Sequence, residues 1–460
     1  MFMSITSVFL SIFLLIYLAY RGVSVLILAP LMAVFTVLLS GGEALLAHYT
    51  EIFMVKLGDF VTIYFPLFLL SAIFGKIMEN SGCACSIANY ISKKIGDHNS
   101  ILAVIISCSI LTYGGISLFV VAFAVYPIAV ELFKKSHIPK RLIPGSVAVG
   151  AFTYTMVALP GTPAIQNAIP SQYFGTNTFA TPGLSIIASI LMFAMGLAWM
   201  KYAEKNARAK GEGYGSYDDK IMTTSSGNLP NFWLAVIPIV IVIIVNYICV
   251  KYVFPNMDVS YLKEEKYGSI DIEMVASNWA IIVSLFFSIV FLIATNFKRL
   301  NIVECLNIGA TQSLGPVFNT ASVVGYGAVI NCIPGFIMIR DWVLTHSPDN
   351  PIISGAFITG LFSGITGSAS GGMTIMLEGM GTKYLEMANA VGMNPEIIHR
   401  IITFAGSFGT LPHCGAVITL LATCGLSHKE SYRDIFITAV LVPLIAMVVT
   451  ISLNNLFGTF

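Results

Sequence analysis

Long apolar segments alternate with short polar ones along the whole chain, and this pattern predicts a protein built from membrane-spanning helices. Many of the apolar runs approach the roughly 20 residues that a helix needs to cross a bilayer. Four further apolar stretches are interrupted by clusters of glycine, proline, serine or threonine. The uninterrupted predicted helices cover approximately residues 5–20, 23–39, 60–78, 184–200, 232–250, 279–295 and 435–456.

The most marked interruption is Leu159-Pro160-Gly161-Thr162-Pro163. Each proline removes a backbone donor and clashes with the preceding turn, so this stretch breaks a helix. Backbone groups freed in lipid find no partner, and such a break therefore survives only inside protein or beside a watery cavity. Polar side chains follow closely at Gln166 and Asn167. A broken helix with polar side chains at membrane depth predicts a binding site of the kind that secondary transporters use.

The interruptions recur in the same order in the two halves of the chain. Thr112, in a Gly/Ser-rich break, precedes Leu159 by 47 positions, and Thr366, in a second such break, precedes Leu411 by 45. Paired interrupted segments at matched spacing predict an internal repeat. The predicted division is a first inverted repeat over 1–200, a cytoplasmic linker over 201–230 and a second inverted repeat over 231–460.

The distribution of basic residues indicates how the Gly/Ser-rich breaks meet the membrane, because lysine and arginine favour the cytoplasmic side. If 101–133 crossed the membrane once, the basic clusters at Lys93 and Lys134 would lie on opposite faces. A re-entrant hairpin near 101–133 keeps both inside, and the same reasoning gives a second hairpin near 352–382. Three basic residues remain on the outer side: Arg340, Lys383 and Arg400.

The predicted fold is therefore an all-α membrane protein with about ten transmembrane helices plus two re-entrant hairpins. Two inverted repeats each contain one hairpin and one broken helix, near 159–167 in the first repeat and near 409–415 in the second. Composition agrees, since 56% of the residues are hydrophobic, only 10% are charged and the mean hydropathy is +0.84. Soluble domains carry about a quarter charged residues.

Several functional classes are excluded by what the sequence lacks. The formal net charge of +1 gives no bias toward nucleic acid, and the eight cysteines have no disulfide or metal-site spacing. We expect no metal and no cofactor. There is no His-Glu-x-x-His, nucleophile elbow or phosphate-binding loop, so we expect no enzyme and no nucleotide-driven pump.

The hairpin tips and broken helices form the predicted site. Glycines let backbone amides approach a ligand, hydroxyls donate hydrogen bonds, and helix N-termini suit a carboxylate. Because this topology leaves no arginine or lysine at mid-membrane, we expect a small anion to bind without a buried arginine. The predicted substrate-binding residues are Thr112, Gly114, Gly115, Ser117, Gly161, Thr162, Gln166, Asn167, Asn319, Thr366, Gly367, Ser368, Ser370, Gly371, Thr410 and His413.

Two alternatives remain open at this point. The small residues at the breaks can equally serve to let helices pack closely. His413 follows a proline inside a break and titrates near physiological pH, which makes it the proton-coupling candidate. A neutral histidine that hydrogen-bonds to backbone is the other interpretation of this residue.

The same motifs resemble those of the gluconate permease (GntP) family within the ion-transporter superfamily. The resemblance covers nearly the whole chain, and the Leu-Pro-Gly-Thr-Pro segment is similar to the β-hydroxybutyrate permease-like branch. At one position the chain departs from the family, which has asparagine where Cys414 stands, so no polar substrate contact is expected there. The motifs that carry the resemblance are Gly75–Gly82, Leu159–Asn167, Thr366–Gly372 and Leu411–Thr419.

This resemblance implies a multi-pass protein of the bacterial cytoplasmic (inner) membrane that imports a small carboxylate such as β-hydroxybutyrate or gluconate. It further implies proton symport and a homodimer with scaffold and elevator-type transport parts. Sodium coupling is the nearest alternative, because carbonyls and hydroxyls at hairpin tips are also good sodium ligands. An intramembrane enzyme acting on a lipid is the alternative of a different class, and it would need a charged or metal-binding cluster that the sequence lacks.

Overall fold

The computed structural model describes residues 2–21, 23–42, 44–96, 99–116, 118–217, 229–346 and 351–460. In these ranges the regular structure is helical throughout, with no β-strand. The main helices of the first half are α1 (Phe2–Tyr20), α2 (Val25–Leu39), α3 (Leu45–Asn80), α4 (Cys83–Ile95), α5 (Ser100–Tyr113), α6 (Leu118–Lys135), α7 (Ile143–Ala151), α8 (Ile165–Phe174) and α9 (Pro182–Ala209).

The second half repeats this order of long, short, paired and broken helices. Its main helices are α10 (Phe232–Asn256), α11 (Ile272–Asn296), α12 (Ile302–Cys332), α13 (Pro334–His346), α14 (Pro351–Thr366), α15 (Ala369–Ala390), α16 (Pro395–Ala405), α17 (Gly415–Cys424) and α18 (His428–Phe457). Helices α5 and α6 form the first helix pair, and α14 and α15 the second. Helices α7 and α8 form the first broken helix, and α16 and α17 the second.

Six helices of the described chain are long and apolar enough to cross a membrane: α3, α9, α10, α11, α12 and α18. The second broken helix, bent by 51°, makes a seventh candidate, and several apolar helices of 10–17 residues accompany them. Large apolar side chains remain exposed along these helices, for example Trp233, Phe286 and Phe287. Exposed apolar faces of this extent belong in lipid, so the chain is an all-α, multi-pass membrane protein.

The helix pairs turn at glycines with left-handed backbone. In the first pair Gly115 has φ +86°, and in the second Gly367 has φ +60°, conformations that glycine adopts without the strain of a side chain. A Cβ at Gly367 would also lie 2.6 Å from His413 Cδ2. With 14 and 16 residues, α5 and α14 are about 21 and 24 Å long, shorter than the hydrocarbon core of about 30 Å. Such lengths suit a re-entrant segment, and the re-entrant placement stays a prediction.

Helix α12 lies at the centre of the packing, and every residue from Thr320 to Ile330 is buried. It packs against α2 and α3, while α11 packs against α3 and α10. The broken helices pack across the halves, because α8 contacts α15 and α16, and α17 contacts α6 and α7. Each break is therefore surrounded by elements of both halves.

Two predicted boundaries differ most from the structure. Helix α3 begins at Leu45 rather than near residue 60, because the apolar pattern continues upstream and Phe53 is buried against Gly325 of α12. Helix α9 continues past residue 200 to Ala209, where Glu204 pairs with Lys201 and Arg208 one turn away on each side. The first nine residues of the predicted linker are therefore helical, and residues 218–228 lie outside the described residues.

Candidate functional site

The first break, residues 158–164, is held by side chains that hydrogen-bond to its backbone carbonyls. The chain leaves α7, makes one isolated turn at Tyr154–Val157 and resumes as α8 at Ile165. The bonds at and just before the break are Thr162 Oγ1 to Thr155 O (2.7 Å), Arg400 Nη1 to Val157 O (3.0 Å), Tyr113 Oη to Pro160 O (2.7 Å), Asn246 Nδ2 to Gly161 O (3.1 Å) and Asn167 Nδ2 to Thr162 O (3.1 Å). Protein groups thus satisfy the carbonyls that the prolines leave without helical donors.

Asn167 is the centre of this arrangement. Its Nδ2 donates to Thr162 O at 3.1 Å and to Thr178 O at 2.8 Å, and its Oδ1 accepts from Arg400 Nη1 at 2.9 Å. His399 Nε2 approaches the same Oδ1 at 3.4 Å. Both donor hydrogens and the acceptor of this amide are engaged with protein. In this structure Asn167 holds the break together.

Arg400 corrects the expectation of a site without a buried arginine. The polar stretch that leads up to Arg400 is typical of a loop, and the predicted topology left Arg400 on the outer side. In the structure this segment folds as α16, capped at its start by Asn394 Oδ1, which accepts from Glu396 N at 3.0 Å. Arg400 has no exposed surface and donates to Val157 O, Asn167 Oδ1 and Ala180 O.

The second break, residues 411–414, is held differently. Tyr432 Oη donates to Thr410 O at 3.2 Å and His428 Nε2 donates to Pro412 O at 2.8 Å, both from α18. His413 Nε2 donates at 3.1 Å to the carbonyl oxygen of Ile365, which lies near the end of α14 beside the second tip. This bond fits the interpretation of His413 as a neutral, backbone-bonded histidine, and it leaves a proton-coupling role as a prediction.

Each helix-pair tip contacts the break of its own half. At the first tip, Tyr113 binds Pro160 O, and a Cβ at Gly115 would meet Pro163 at 3.0 Å. At the second tip, a Cβ at Gly367 would meet His413 Cδ2 at 2.6 Å, and Gly409, just before the break, packs against the backbone of Ser368 and Ala369. The predicted association of tips with breaks is therefore present within each half.

The hydroxyls of the second tip serve mainly its own backbone. Thr366 Oγ1 donates to Phe362 O at 2.8 Å, and Ser368 Oγ caps α15 by accepting from Gly371 N at 3.1 Å. Ser370 Oγ lies 3.4 Å from Ser368 Oγ. Ser370 and the amides at the start of α15 are the groups of this tip with remaining hydrogen-bonding capacity.

Several buried polar atoms of the described chain have no protein partner, and these are the groups best suited to a ligand. Among the predicted residues they are Thr112 Oγ1 and Gln166 Oε1. Ser363 Oγ and Ser407 Oγ, beside the second tip and the second break, share this property, and neither is among the predicted residues. A buried polar atom without a partner is costly unless water or a ligand meets it. The sequence signal for Ser363 was that a serine stands one helical turn before the Gly/Ser-rich tip.

One predicted residue is not part of this arrangement, and another cannot be placed in it. Asn319 is exposed on α12, whereas the other predicted residues of the described chain are buried or half-buried at the tips and breaks. Ser117 lies outside the described residues. No group of three or more histidine, cysteine or acidic residues in the described ranges could hold a metal ion.

A second polar cluster joins α3, α8 and α15. Glu378 on α15 accepts a hydrogen bond from Tyr173 Oη of α8 at 2.9 Å and forms an ion pair with Lys56 of α3 at 3.0 Å. Its side chain is 23% exposed. Glu378 lies inside α15, nine residues after its first residue, Ala369.

Comparisons with known proteins agree with this architecture. A GntP family permease model matches residues 3–456. The chain is 40% identical over 472 residues to uncharacterized transporter YxjC of Bacillus subtilis (strain 168), covering 99% of this chain and 100% of that protein. It is also 26% identical over 178 residues to an uncharacterized transporter of Haemophilus influenzae, covering 38% of this chain and 40% of that protein.

The fold is similar to a solved structure as well. The crystal structure of the Alcanivorax borkumensis YdaH transporter, described as having an unusual topology, aligns with a TM-score of 0.57 at 12% identity and covers 90% of each chain. At this identity the likeness concerns the fold alone. The family model and the B. subtilis relative, each matched over nearly the full chain, establish that this protein belongs to the GntP family of permeases.

Proposed function

We propose that this permease is a secondary active transporter that imports a small carboxylate by proton symport, with the binding site between the helix-pair tips and the two breaks. The observation that carries the proposal is the first break. It is an open, non-helical backbone inside the protein, fixed by side chains from both halves and bordered by polar atoms without protein partners. Broken helices of this kind form the substrate sites of secondary transporters.

A carboxylate fits the groups at this position. Helix α8 begins directly after the break and α15 directly after the second tip, and helix N-termini favour an anion. Gln166 and Thr112 add an amide and a hydroxyl that suit the hydroxyl of a hydroxy acid. Short hydroxy acids such as β-hydroxybutyrate or gluconate are therefore the proposed substrates.

Proton coupling requires a group that titrates in the membrane. His413 is the proposed carrier because it links the second break to the second tip, so its charge state bears directly on their contact. Sodium symport is the alternative, since the open carbonyls and hydroxyls of the tips could also coordinate sodium.

The transport movement is proposed to be of the elevator type. Helices α1–α3 and α10–α12 pack largely with one another and would form the scaffold, in a homodimer. The helix pairs and broken helices, which pack across the halves, would move as the transport part. The proposed location is the bacterial inner membrane.

Uptake into proteoliposomes tests this proposal. Labelled β-hydroxybutyrate is offered under an inward proton gradient, with gluconate, lactate and citrate as unlabelled competitors. We expect uptake that a protonophore abolishes, that ignores a sodium gradient and that short hydroxy acids block. Uptake driven by the sodium gradient would show that sodium, not the proton, is the coupling ion. Absence of uptake with every carboxylate would refute the proposed substrate class.

A further inference from the structure

The guanidinium of Arg400 is a permanent charge with no access to solvent. Its side chain is fully buried, and arginine stays protonated in proteins. A buried charge is strongly destabilising unless hydrogen bonds and an opposite charge compensate it. The partners of Arg400 therefore indicate what the charge is for.

Those partners are all neutral. Arg400 donates to two backbone carbonyls, Val157 O at 3.0 Å and Ala180 O at 2.9 Å, and to the amide oxygen Asn167 Oδ1 at 2.9 Å. Its Nε has no partner. Glu396 lies one turn earlier on α16 and interacts with Arg400 electrostatically, but it does not hydrogen-bond to the guanidinium, and its Oε2 accepts from Thr181 N at 2.8 Å. No carboxylate of the described chain hydrogen-bonds to Arg400, so its positive charge remains without a bonded counter-ion.

The three acceptors surround the first break. Val157 ends the isolated turn before it, Asn167 is the third residue of the helix after it, and Ala180 precedes α9. One side chain from the second half thus joins three separate segments of the first half. A planar guanidinium can hold several acceptors in fixed directions, which a lysine ammonium on its flexible stem cannot do.

The equivalent position in the other half has no such charge. Aligning Leu159-Pro160 with Leu411-Pro412, an offset of 252 positions, pairs Arg400 with Ala148 and Asn167 with Thr419. Ala148 is buried and apolar, and Thr419 Oγ1 donates to Gly415 O within its own helix. The buried cation is therefore specific to the first break rather than a general feature of the repeat.

We propose that Arg400 is the positioning residue of the substrate site and the source of its preference for an anion. It fixes the open backbone of the first break across the two halves, and its charge, which lacks a bonded counter-ion in the protein, makes a negatively charged solute favourable beside that break. This inference rests on the proposed function for the charge of the substrate. The positioning of the break does not depend on which solute is carried.

Two variants separate the roles of charge and geometry. Arg400→Lys keeps the positive charge and loses the planar fork, whereas Arg400→Gln loses the charge. Arg299→Gln, at an exposed arginine after α11, is the matched control. Thermal unfolding of each purified variant establishes that it is folded before the other measurements are compared.

Hydrogen–deuterium exchange of the detergent-solubilised protein tests the positioning role. We expect amides in residues 158–164 to exchange at least about fivefold faster in both Arg400 variants, because opening of the break becomes easier, while the second break is unchanged. The control should match wild type at both breaks. Unchanged exchange at 158–164 in Arg400→Gln would overturn the positioning role, whatever the substrate.

Uptake kinetics test the charge. Arg400→Gln should raise KM for a hydroxy acid about tenfold and weaken the preference for the acid over its neutral amide, while Arg400→Lys should lower kcat and keep that preference. A loss of stability alone would leave the acid-to-amide preference unchanged, and that result would overturn the charge role. If wild-type protein carries no carboxylate, the proposed function and the charge role fail together, and the exchange measurement still decides the positioning role.

Discussion

The two breaks occupy matching places in the two halves, but the protein stabilises them by different chemistry. The first is bonded by a permanent cation and by amides and hydroxyls, and two of these donors, Arg400 and Asn246, come from the opposite half. The second is bonded by His413, His428 and Tyr432 of its own half. The first break thus has a fixed charge, while the second is held by histidine and tyrosine side chains. Under the proposed function, the first break would bind the anion and His413 at the second break would carry the proton.

Asn167→Ala should have the largest effect. It removes two bonds to carbonyls and takes an acceptor from a buried guanidinium, which should cost about 3 kcal/mol of folding free energy and most of the uptake. Thr419→Ala, at the matching position, should cost less than about 0.5 kcal/mol. Thermal unfolding of both variants measures the contrast. Equal losses of unfolding free energy in the two variants would mean that the hydrogen bonds of Asn167 do not distinguish the first break from the second.

His413→Gln tests whether the second break carries the proton. Glutamine retains a donor for Ile365 O but cannot change charge, so accumulation driven by a proton gradient should fall about tenfold while solute exchange without a gradient persists. The measurement compares driven uptake with counterflow in the same vesicles. A variant that still accumulates solute in response to the proton gradient would remove His413 as the carrier.

Tyr113→Phe removes the hydroxyl that joins the first tip to Pro160 O at 2.7 Å, and Tyr432→Phe removes a longer bond of 3.2 Å to Thr410 O. We expect the first change to lower uptake about fivefold, from a loss of about 1 kcal/mol, and the second to have a smaller effect. Initial rates normalised to reconstituted protein compare them. The reverse order would argue that the second break limits transport.

Ser370→Ala tests the second tip. The hydroxyl of Ser370 is buried beside Ser368 Oγ and is not required to cap α15, so the variant should reach the membrane at normal abundance. Uptake should fall about threefold, the effect of losing one hydrogen bond of below 1 kcal/mol. Unchanged transport would remove Ser370 from the site.

The smallest effect on stability is expected at Arg141, whose side chain joins Glu212 and Asp434 at the surface between the two halves. Arg141, just before α7, forms two bonds to Glu212 and contacts Asp434 of α18, and its hydrogen bonds lower the pKa of Glu212. A lowered carboxyl pKa contributes stability above the unfolded pKa of about 4.5, and this contribution is lost as the pH falls through the lowered value. Because Glu212 is partly exposed, Glu212→Gln should cost less than about 1 kcal/mol at pH 7. The difference in unfolding temperature from wild type should vanish well below pH 4.5, and a difference that persists there would contradict the ion pair.

The sequence predicts those features that depend on local backbone chemistry. Prolines and glycines define both breaks and both tips because their effect on a helix does not need a distant partner. The matched order of the elements follows from the same signals. Burial of Arg400 could not be predicted in this way, because its acceptor Asn167 lies 233 positions earlier and the polar stretch that leads up to it is typical of a loop. Asn319 shows a second limit, since a polar run inside an apolar segment does not reveal which face of α12 its side chains occupy, and Asn319 is exposed in the structure.

A structure determined in a lipid nanodisc with a saturating short hydroxy acid tests the central claim most directly. We predict density for the acid beside residues 158–164, with its carboxylate toward the start of α8 and its hydroxyl near Gln166 or Thr112, and no such density in Arg400→Gln at the same concentration. Density for the acid elsewhere, with the first break unoccupied, would contradict the assignment of this break as the carboxylate site.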